Sequence, residues 1–415
     1  MNIRVLLAAS AAFAFSSIAH ATNGYFPHGY SIKSQGMGGV GIALPQDAHA
    51  AATNPAGLAL VGNRVDLGLT WFRPIRESKL VGTAGGAGAY DGTYHANESK
   101  NFFIPEFAYS RMLSEDVAFG ISVHGHGGMN TDYSRPVPLL GTTRPGVDLA
   151  QLFVSPALAW KITPNQSIGI TLNLAYQRFE AKGLQNFTAA SASPSKVTNN
   201  GHENSYGWGV RVGWIGQITD AVTLGATYQS RTNMSKLNEY RGLFVDQGNF
   251  DIPTDYGIGI AVKATPKLTL AADVQRIEYS EIDPVGFPLA NFFSAPLGDD
   301  HGAGFGWRDV TAVKIGASYA WSDSLTLRAG YDHSSQPIPR SQTFFNILAP
   351  GVVQDHLTLG ATWVLPNKAE LSFAYMHAFE NEVKGGGSIP TVFGGGEANL
   401  KMHEDSLGIA YAWQF

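Results

Sequence analysis

The chain has 415 residues with a net charge of −5, no cysteine, 48 glycines and only 15% charged residues. Soluble domains carry about 25% charged residues, so a surface this poor in charge is expected to face something other than water. The sequence has no basic run and no stripe of arginine and aromatic residues, which excludes nucleic acid as an expected partner. Without cysteine, no disulfide can hold the fold together.

Residues 1–21 have the pattern of a secretory signal peptide. Arg4 precedes an apolar run from Val5 to Ile18, and Ala19-His20-Ala21 forms an A-x-A cleavage site. The mature chain is therefore expected to begin at Thr22, outside the cytoplasm. No later stretch approaches the roughly 18 consecutive apolar residues of a membrane-spanning helix, so the mature protein would contact a membrane through strands.

Residues 22–60 lack the alternation of a strand and are rich in glycine and alanine. Ahead of a barrel too wide to be filled by its own side chains, such a segment is expected to plug the lumen. Asp47 and His49 could be read as an acid–base pair, but neither a nucleophile in a recognised setting nor a G-x-S-x-G motif accompanies them. We therefore predict no catalytic residues and no cofactor.

Residues 61–415 repeat one pattern, in which two alternating segments joined by a tight polar turn are followed by a longer loop. With one strand before the first loop (61–73) and one at the end (401–415), the pattern predicts an all-β, 14-stranded antiparallel barrel of the bacterial outer-membrane type. The six tight turns are centred near 115, 164, 220, 266, 323 and 367. The seven long loops are expected near 74–99, 131–147, 182–203, 240–252, 282–307, 335–350 and 383–400, all on the outer side.

The alternation also predicts which face meets lipid. In the last strand Leu407, Ile409, Tyr411, Trp413 and Phe415 share one face, as expected for an apolar exterior around a polar lumen. A soluble sandwich would show the same period, but the signal peptide, the low charge and the aromatic ending argue against it. This ending resembles the terminal signature of outer-membrane barrels, so the barrel assembly machinery is an expected partner through Phe415.

The stretch "SVHGHGGMN" closes the third predicted strand. His124 and His126 would share one face, but a metal site needs at least a third ligand, which the sequence does not place. We therefore predict no metal and interpret both histidines as lining the lumen. Glycine weakens a strand interior, so Gly125, Gly127 and Gly128 predict interrupted pairing and a hole in the barrel wall.

Three regions of the sequence resemble the FadL family of outer-membrane transporters for hydrophobic compounds. They are "GMGGVGIALPQDAHAAATNPAGL" (36–58), "GWGVRVGWIGQITDAVTLGATYQSR" (207–231), and "RDVTAVKIGASYAWSDSLTLRAGYDHSSQPIP" (308–339) followed by "LSFAYMH". The resemblance implies a 14-stranded barrel, an N-terminal hatch containing the motif Asn54, Pro55 and Ala56, and passive uptake of long-chain fatty acids or related molecules. It further implies capture by extracellular loops, an apolar lumen pocket and lateral release at a kinked third strand. Elsewhere an Asn-Pro pair commonly just starts a turn.

The resemblance also suggests ligand-binding residues in the lumen. Arg178 matches a cationic residue that could pair with a carboxylate, although parity places it on the outward face, where an interfacial arginine is the alternative. The second cation of the family's pocket has no clear counterpart, with Arg308 only nearby. Asp332 lines the lumen by parity, where a pairing role is the alternative, and Phe26 could reach the pocket.

The third and fourth long loops occupy the positions of the family's capture groove. They carry apolar residues among polar ones, as a groove for apolar ligands requires, although local packing of the loops would look the same. These residues are Leu184, Phe187, Leu243, Phe244 and Phe250.

The sequence therefore predicts a monomeric channel in the outer membrane of a Gram-negative bacterium, in contact with lipid and lipopolysaccharide, that takes up hydrophobic small molecules. The cargo is a long-chain fatty acid or, because the second cation is missing, a neutral aromatic hydrocarbon. A surface adhesin or structural barrel is the alternative from another class, and an outer-membrane hydrolase comes third.

Overall fold

The structure is a computed structural model that describes residues 23–415; the predicted signal peptide lies outside the described residues. Fourteen strands form one antiparallel sheet in which each strand pairs with its neighbours in chain order. They are β1 (Arg64–Val81), β2 (Phe102–Met112), β3 (Val117–Asp132), β4 (Gly146–Thr163), β5 (Gln166–Lys182), β6 (Glu203–Gln217), β7 (Val222–Gln229), β8 (Asp255–Lys263), β9 (Leu268–Ile277), β10 (Val310–Ala320), β11 (Leu325–Ser334), β12 (Asp355–Val364), β13 (Glu370–Val383) and β14 (Glu397–Gln414).

Pairing between the first and last strands closes the sheet into a barrel. The register runs from Arg64 opposite Gln414 to Val81 opposite Glu397 without interruption. Two short strands extend the sheet at the end of the barrel that carries the long loops, which we call the upper end. Gly92–His95 pairs with β1, and Asn233–Met234 pairs with β6. The predicted all-β fold with 14 antiparallel strands is confirmed. Among residues 23–415, no helix is long and apolar enough to cross a membrane.

The strands present apolar residues outward and small or polar residues inward, because side chains in a strand alternate between the two faces. On β5, Ile170 is 51% exposed on the outside, whereas Asn173 is 1% exposed inside. Exposed tryptophans lie at or next to strand ends at Trp160, Trp321 and Trp363, as expected for side chains at a membrane interface.

Two predicted boundaries are wrong at the closing seam. β1 begins at Arg64 rather than Val61, because Leu58–Val61 forms a helical turn, and it continues past the predicted end at Arg73. About 9–11 residues of a strand are enough to span a bilayer. The pairing of β1 with β14 is longer than this, so the two strands extend beyond the membrane. The long connections are 82–101, 133–145, 183–202, 230–254, 278–309, 335–354 and 384–396, and six short turns join the strands at the other end.

The segment before β1 lies inside the barrel and is almost entirely buried. It contains the helical turns Ile32–Gln35, Ala50–Thr53 and Leu58–Val61 and the 3₁₀ turn Pro55–Gly57. Its backbone bonds to side chains of the wall: the Gly41 and Ile42 N–H groups donate to Asp273 at 2.8 and 3.0 Å, and the Ala48 N–H donates to Asp66 at 3.0 Å. These three buried backbone N–H groups are thereby paired, as buried backbone groups generally are.

The long loops fold over the upper end of the barrel and enclose a large apolar core. They contain further short turns: the α-helical turn Asp283–Gly286, the turn Val245–Gly248, whose two central residues have left-handed backbone angles, and the 3₁₀ turns Gln185–Ala190, Pro194–Lys196, Asn238–Tyr240, Tyr279–Glu281, Leu289–Phe293, Arg340–Gln342, Phe345–Ile347 and Thr391–Phe393.

Candidate functional site

An apolar cavity of about 50 Å³ lies beneath the long loops. Five loops and the upper ends of β4 and β5 contribute to it, and every lining residue is apolar. Four of the loop residues predicted from the sequence are among them. The lining consists of Leu140, Val147, Phe179, Leu184, Phe187, Leu243, Phe244, Pro284, Leu297, Ala303, Gly304, Phe305, Phe345 and Leu348. We call this the loop cavity.

A series of buried rings leads from the loop cavity to the barrel wall. Phe244 contacts Phe250 with 4.9 Å between ring centroids, Phe250 lies 6.4 Å from Tyr25, and Tyr25 lies 5.4 Å from Phe26. Phe26 in turn contacts His126 of β3 at 4.5 Å. Phe26 and Phe250, both predicted to bind ligand, therefore lie between the loop cavity and the third strand rather than in the cavity lining.

The wall has a gap where this series of rings ends. β2 and β3 pair from Met112–Ala118 to Phe107–Val123 and no further, although β3 continues to Asp132. On its other side β3 has a register shift between Gly125 and Gly127, which is a bulge at His126. We call residues 124–131 of β3, which pair with β4 but not with β2, the window.

The window is bounded above by the first loop and covered from inside by the N-terminal segment. The Glu98 N–H donates to the Asp132 carbonyl at 3.1 Å, and the Gly128 N–H donates to the Tyr25 carbonyl at 3.1 Å. A Cβ on Gly127 would lie 3.0 Å from that same Tyr25 oxygen. The close approach of β3 and the N-terminal segment therefore depends on glycine at this position.

The two histidines of β3 are packed among rings. His126 stacks on Phe153 at 3.9 Å and lies 3.3 Å from the Tyr30 hydroxyl, and the His124 ring nitrogen lies 3.0 Å from the Ser122 hydroxyl. No group of three or more His, Cys, Asp or Glu side chains in residues 23–415 could hold a metal ion. The surroundings of these histidines are those of packed lumen residues.

The two charged residues suggested for ligand binding lie elsewhere. Arg178 remains on the outward face, 30% exposed, and its guanidinium donates to Asp148 at 3.1 Å. The register of β5 shows no bulge that would turn it inward near Arg178. Asp332 is fully buried and accepts a hydrogen bond from the Asn23 side chain at 3.0 Å, and Arg308 is exposed. Neither Arg178 nor Asp332 lines the loop cavity.

Asn54 fixes the N-terminal segment to the wall. Its side-chain amide donates to the Ile42, Trp214 and Ala226 carbonyls at 2.8, 3.0 and 3.3 Å, and its oxygen accepts from the Ala56 N–H. The motif Asn54, Pro55 and Ala56 is thus an anchor in which Asn54 caps the following 3₁₀ turn.

Burial shifts the pKa of three polar rings in the N-terminal segment and the fifth long loop toward the neutral form. Burial lowers the pKa of His49, whose ring lies 2.8 Å from the Ser122 hydroxyl, despite nearby Asp47 and Asp66, which act in the opposite direction. Burial likewise raises the pKa of the Tyr25 and Tyr279 hydroxyls. The surroundings of the window therefore carry rings that stay neutral at neutral pH.

Sequence reasoning missed cavity residues from the second, fifth and sixth loops, such as Leu140, Phe305, Phe345 and Leu348. Each belongs to an irregular loop with no period to reveal which side chains turn inward. The one available signal was the unusual number of aromatic and leucine residues in these loops.

A closed 14-stranded barrel with an apolar outer face, and an apolar cavity beneath its loops, defines an outer-membrane channel for hydrophobic compounds. The chain belongs to the outer membrane transport protein family (OMPP1/FadL/TodX), whose family model matches residues 13–415. It is a transport channel of the bacterial outer membrane rather than an enzyme.

Similar proteins agree with this assignment. The toluene transporter TodX of Pseudomonas putida (17% identity, TM-score 0.71) and the toluene transporter TbuX of Ralstonia pickettii (19%, 0.65) each align over 94% of this chain and 99% of their own. A FadL homologue of Pseudomonas aeruginosa aligns over 94% of this chain and 100% of its own, with 17% identity and a TM-score of 0.71. These likenesses show a shared fold.

An outer membrane protein of Neisseria meningitidis serogroup B is 21% identical over 257 residues, which cover 54% of this chain and 55% of that protein. The chain thus spans about half the length of this curated relative.

Proposed function

We propose that this channel takes up small neutral hydrophobic compounds, with aromatic hydrocarbons as the preferred class. The observation that carries the proposal is the lining of the loop cavity, which contains no charged or polar side chain. A carboxylate placed there would lose its hydration without gaining a partner, at a cost of several kcal/mol, whereas an apolar ring gains about 25 cal/mol for each Å² removed from water.

Two further features favour a neutral cargo over a fatty acid. Arg178, the candidate partner of a carboxylate, points outward and is already paired with Asp148. Two of the solved structures with the same fold are toluene transporters. A long-chain fatty acid remains the second candidate, because the family includes FadL.

The proposed route follows the buried rings. Cargo caught in the loop cavity passes Phe244 and Phe250, reaches Tyr25 and Phe26, and leaves sideways into the membrane through the window of β3. Contacts between rings along this route support it, and lateral release keeps an apolar molecule out of water throughout. In this proposal residues 23–63 form a plug that blocks the direct path to the periplasm.

Equilibrium binding of radiolabelled toluene and oleate to the purified barrel tests the cargo. We expect the barrel to bind toluene, and we expect Leu243→Asn to weaken that binding about tenfold, because the amide loses hydrogen bonds when cargo covers it. Leu113→Asn is the matched control, since Leu113 is 59% exposed in a turn at the opposite end. Binding of oleate but not toluene would show that the cargo is a fatty acid.

A further inference from the structure

The loop cavity is too small for the cargo in the conformation described here. Its volume is about 50 Å³, whereas a cavity of about 150 Å³ binds benzene in a protein interior. Protein interiors are close-packed, so a ring can enter only if a neighbouring group moves away.

One turn near the cavity is flanked on both sides by glycines, which give its backbone conformational freedom. In the last long loop, the sequence "GGGSIPTVFGGG" (385–396) places residues 390–393 between two runs of three glycines. Gly387, Gly394, Gly395 and Gly396 all have positive φ, between +61° and +99°, a region that glycine enters at little cost. Turns flanked in this way can change direction with few steric restrictions.

Few bonds tie this turn to the barrel. In the part of the chain that the structure describes, the Phe393, Gly394 and Gly395 N–H groups donate within the turn to Pro390 or Thr391 carbonyls, and the Gly394 carbonyl accepts from the Gly85 N–H at 2.7 Å. The turn is otherwise fixed at its base, where the Ile389 N–H donates to the Gly396 carbonyl at 3.2 Å. Its remaining attachment is the packing of one side chain, Phe393.

Phe393 packs among three other rings, one of which lines the loop cavity. Its centroid lies 5.3 Å from Phe344, 5.4 Å from Phe292 and 5.5 Å from Phe187, and Phe187 is part of the cavity lining. On the outside, the neighbouring Val392 is 70% exposed and Phe293, which contacts Phe292, is 58% exposed. A phenylalanine ring carried on a glycine-flanked turn therefore packs directly against the cavity lining.

We propose that residues 390–395 form a lid, and that a neutral aromatic ring binds in the place of the Phe393 ring when the lid lifts. The side chain of phenylalanine is toluene less one hydrogen, so a monoaromatic cargo fits the space between Phe187, Phe292 and Phe344 and recovers the same ring contacts. This inference rests on the proposed function and adds to it an entrance between the fifth and last long loops and a site for the aromatic ring of the cargo.

The first experiment compares toluene binding to Phe393→Ala and to Val392→Ala, a control on the same turn whose side chain faces solvent. If the closed lid leaves only a minor fraction of molecules able to bind, removing the competing ring tightens apparent affinity about tenfold or more. Val392→Ala should bind as the wild type does, and the gain for a linear alkane of similar size should be smaller than for toluene.

The second experiment closes the lid reversibly. A Cβ at position 394 would lie 3.3 Å from the Ala84 Cα, and the chain has no cysteine of its own, so Ala84→Cys with Gly394→Cys introduces a single possible disulfide. Oxidation should slow toluene association and reduction should restore it. The rate of toluene association to each single variant should be the same under oxidising and reducing conditions.

The outcomes separate the two proposals. If the wild type binds no toluene, the proposed neutral cargo and the ring site fail together. If the wild type binds toluene but both Phe393→Ala and the oxidised pair behave as the wild type does, the lid is wrong and the proposed function stands. Should Phe393→Ala fail to fold, judged by heat-dependent gel mobility, the oxidised pair decides alone.

Discussion

Arg211 and Asp255 show how single residues join the wall of the barrel to the segment inside it. Their side chains lie 2.8 Å apart and are 2% and 0% exposed. The guanidinium also donates to the Thr53 carbonyl of the N-terminal segment at 3.3 Å and to Gln229 at 2.8 Å. Removing only one partner of such an ion pair strongly destabilises the fold, because the remaining charge stays buried without a partner.

We therefore expect Asp255→Ala to lower the free energy of unfolding by about 3–5 kcal/mol, measured by urea unfolding of the barrel in lipid vesicles. The double variant Arg211→Met, Asp255→Leu serves as the control, since removing both charges should cost much less. If the free energy of unfolding falls equally in Asp255→Ala and in the double variant, a single charge at this position is not penalised, which would mean that water already reaches the pair.

At the same scale, the sequence indicated cavity residues where an apolar residue stands out in a polar loop and missed those that only folding brings together, while the ligand-binding role of all of them stays a prediction. Leu184, Phe187, Leu243 and Phe244 stood out as apolar residues in polar loops, and all four line the cavity. Phe393 did not stand out, because the lid role proposed for it depends on contacts with Phe187 and Phe344 from loops distant in the chain. Contacts between loops leave no period in the sequence.

Among the elements, β3 is the strand whose pairing carries function in the proposed route. We expect Gly128→Trp to leave the barrel folded and to reduce toluene uptake into cells at least tenfold, because an indole in the window would block the passage while the β2–β3 pairing below Val123 is intact. Uptake of labelled toluene by cells carrying each variant measures this.

Ala317→Trp is the matched control, since Ala317 lines a shallow groove on the outer face of β10, away from the window. Undiminished uptake by Gly128→Trp would remove lateral release from the route and point to a path through the plug.

The period of two was enough to predict the strands, but not their lengths. Alternation identified 14 strands because each has one face toward lipid and one toward the lumen. The extension of β1 to Val81 depends on its partner β14 and on the short strand Gly92–His95, which are distant in sequence. The bulge of β3 falls where three glycines lie within four residues of one strand, whereas the lateral opening predicted from these glycines stays a prediction.

At the scale of the whole molecule, the main feature is what fills the lumen of the 14-stranded barrel. Barrels of 16–18 strands leave an aqueous channel, and small ones of about eight strands fill with their own side chains. This barrel contains instead residues 23–63, held by Asn54, by Lys33 against Glu370 at 2.6 Å and by Asp273. On the proposed route, this segment acts as a plug that keeps water out of the lumen and leaves the membrane as the exit for an apolar cargo.

Deleting residues 23–62 should therefore convert the protein into an open pore. In planar bilayers we expect the intact channel to show little ion conductance and the deleted form to show stable conductance of the size seen for porins, since carboxylates such as Asp273 and Glu370 would line a water-filled lumen. The milder variant Asp273→Ala removes the acceptor for Gly41 and Ile42 and should give brief openings, because the plug keeps its other anchors. If the intact protein already conducts as much as the deleted one, residues 23–63 do not seal the barrel, and cargo has an aqueous path that competes with the window.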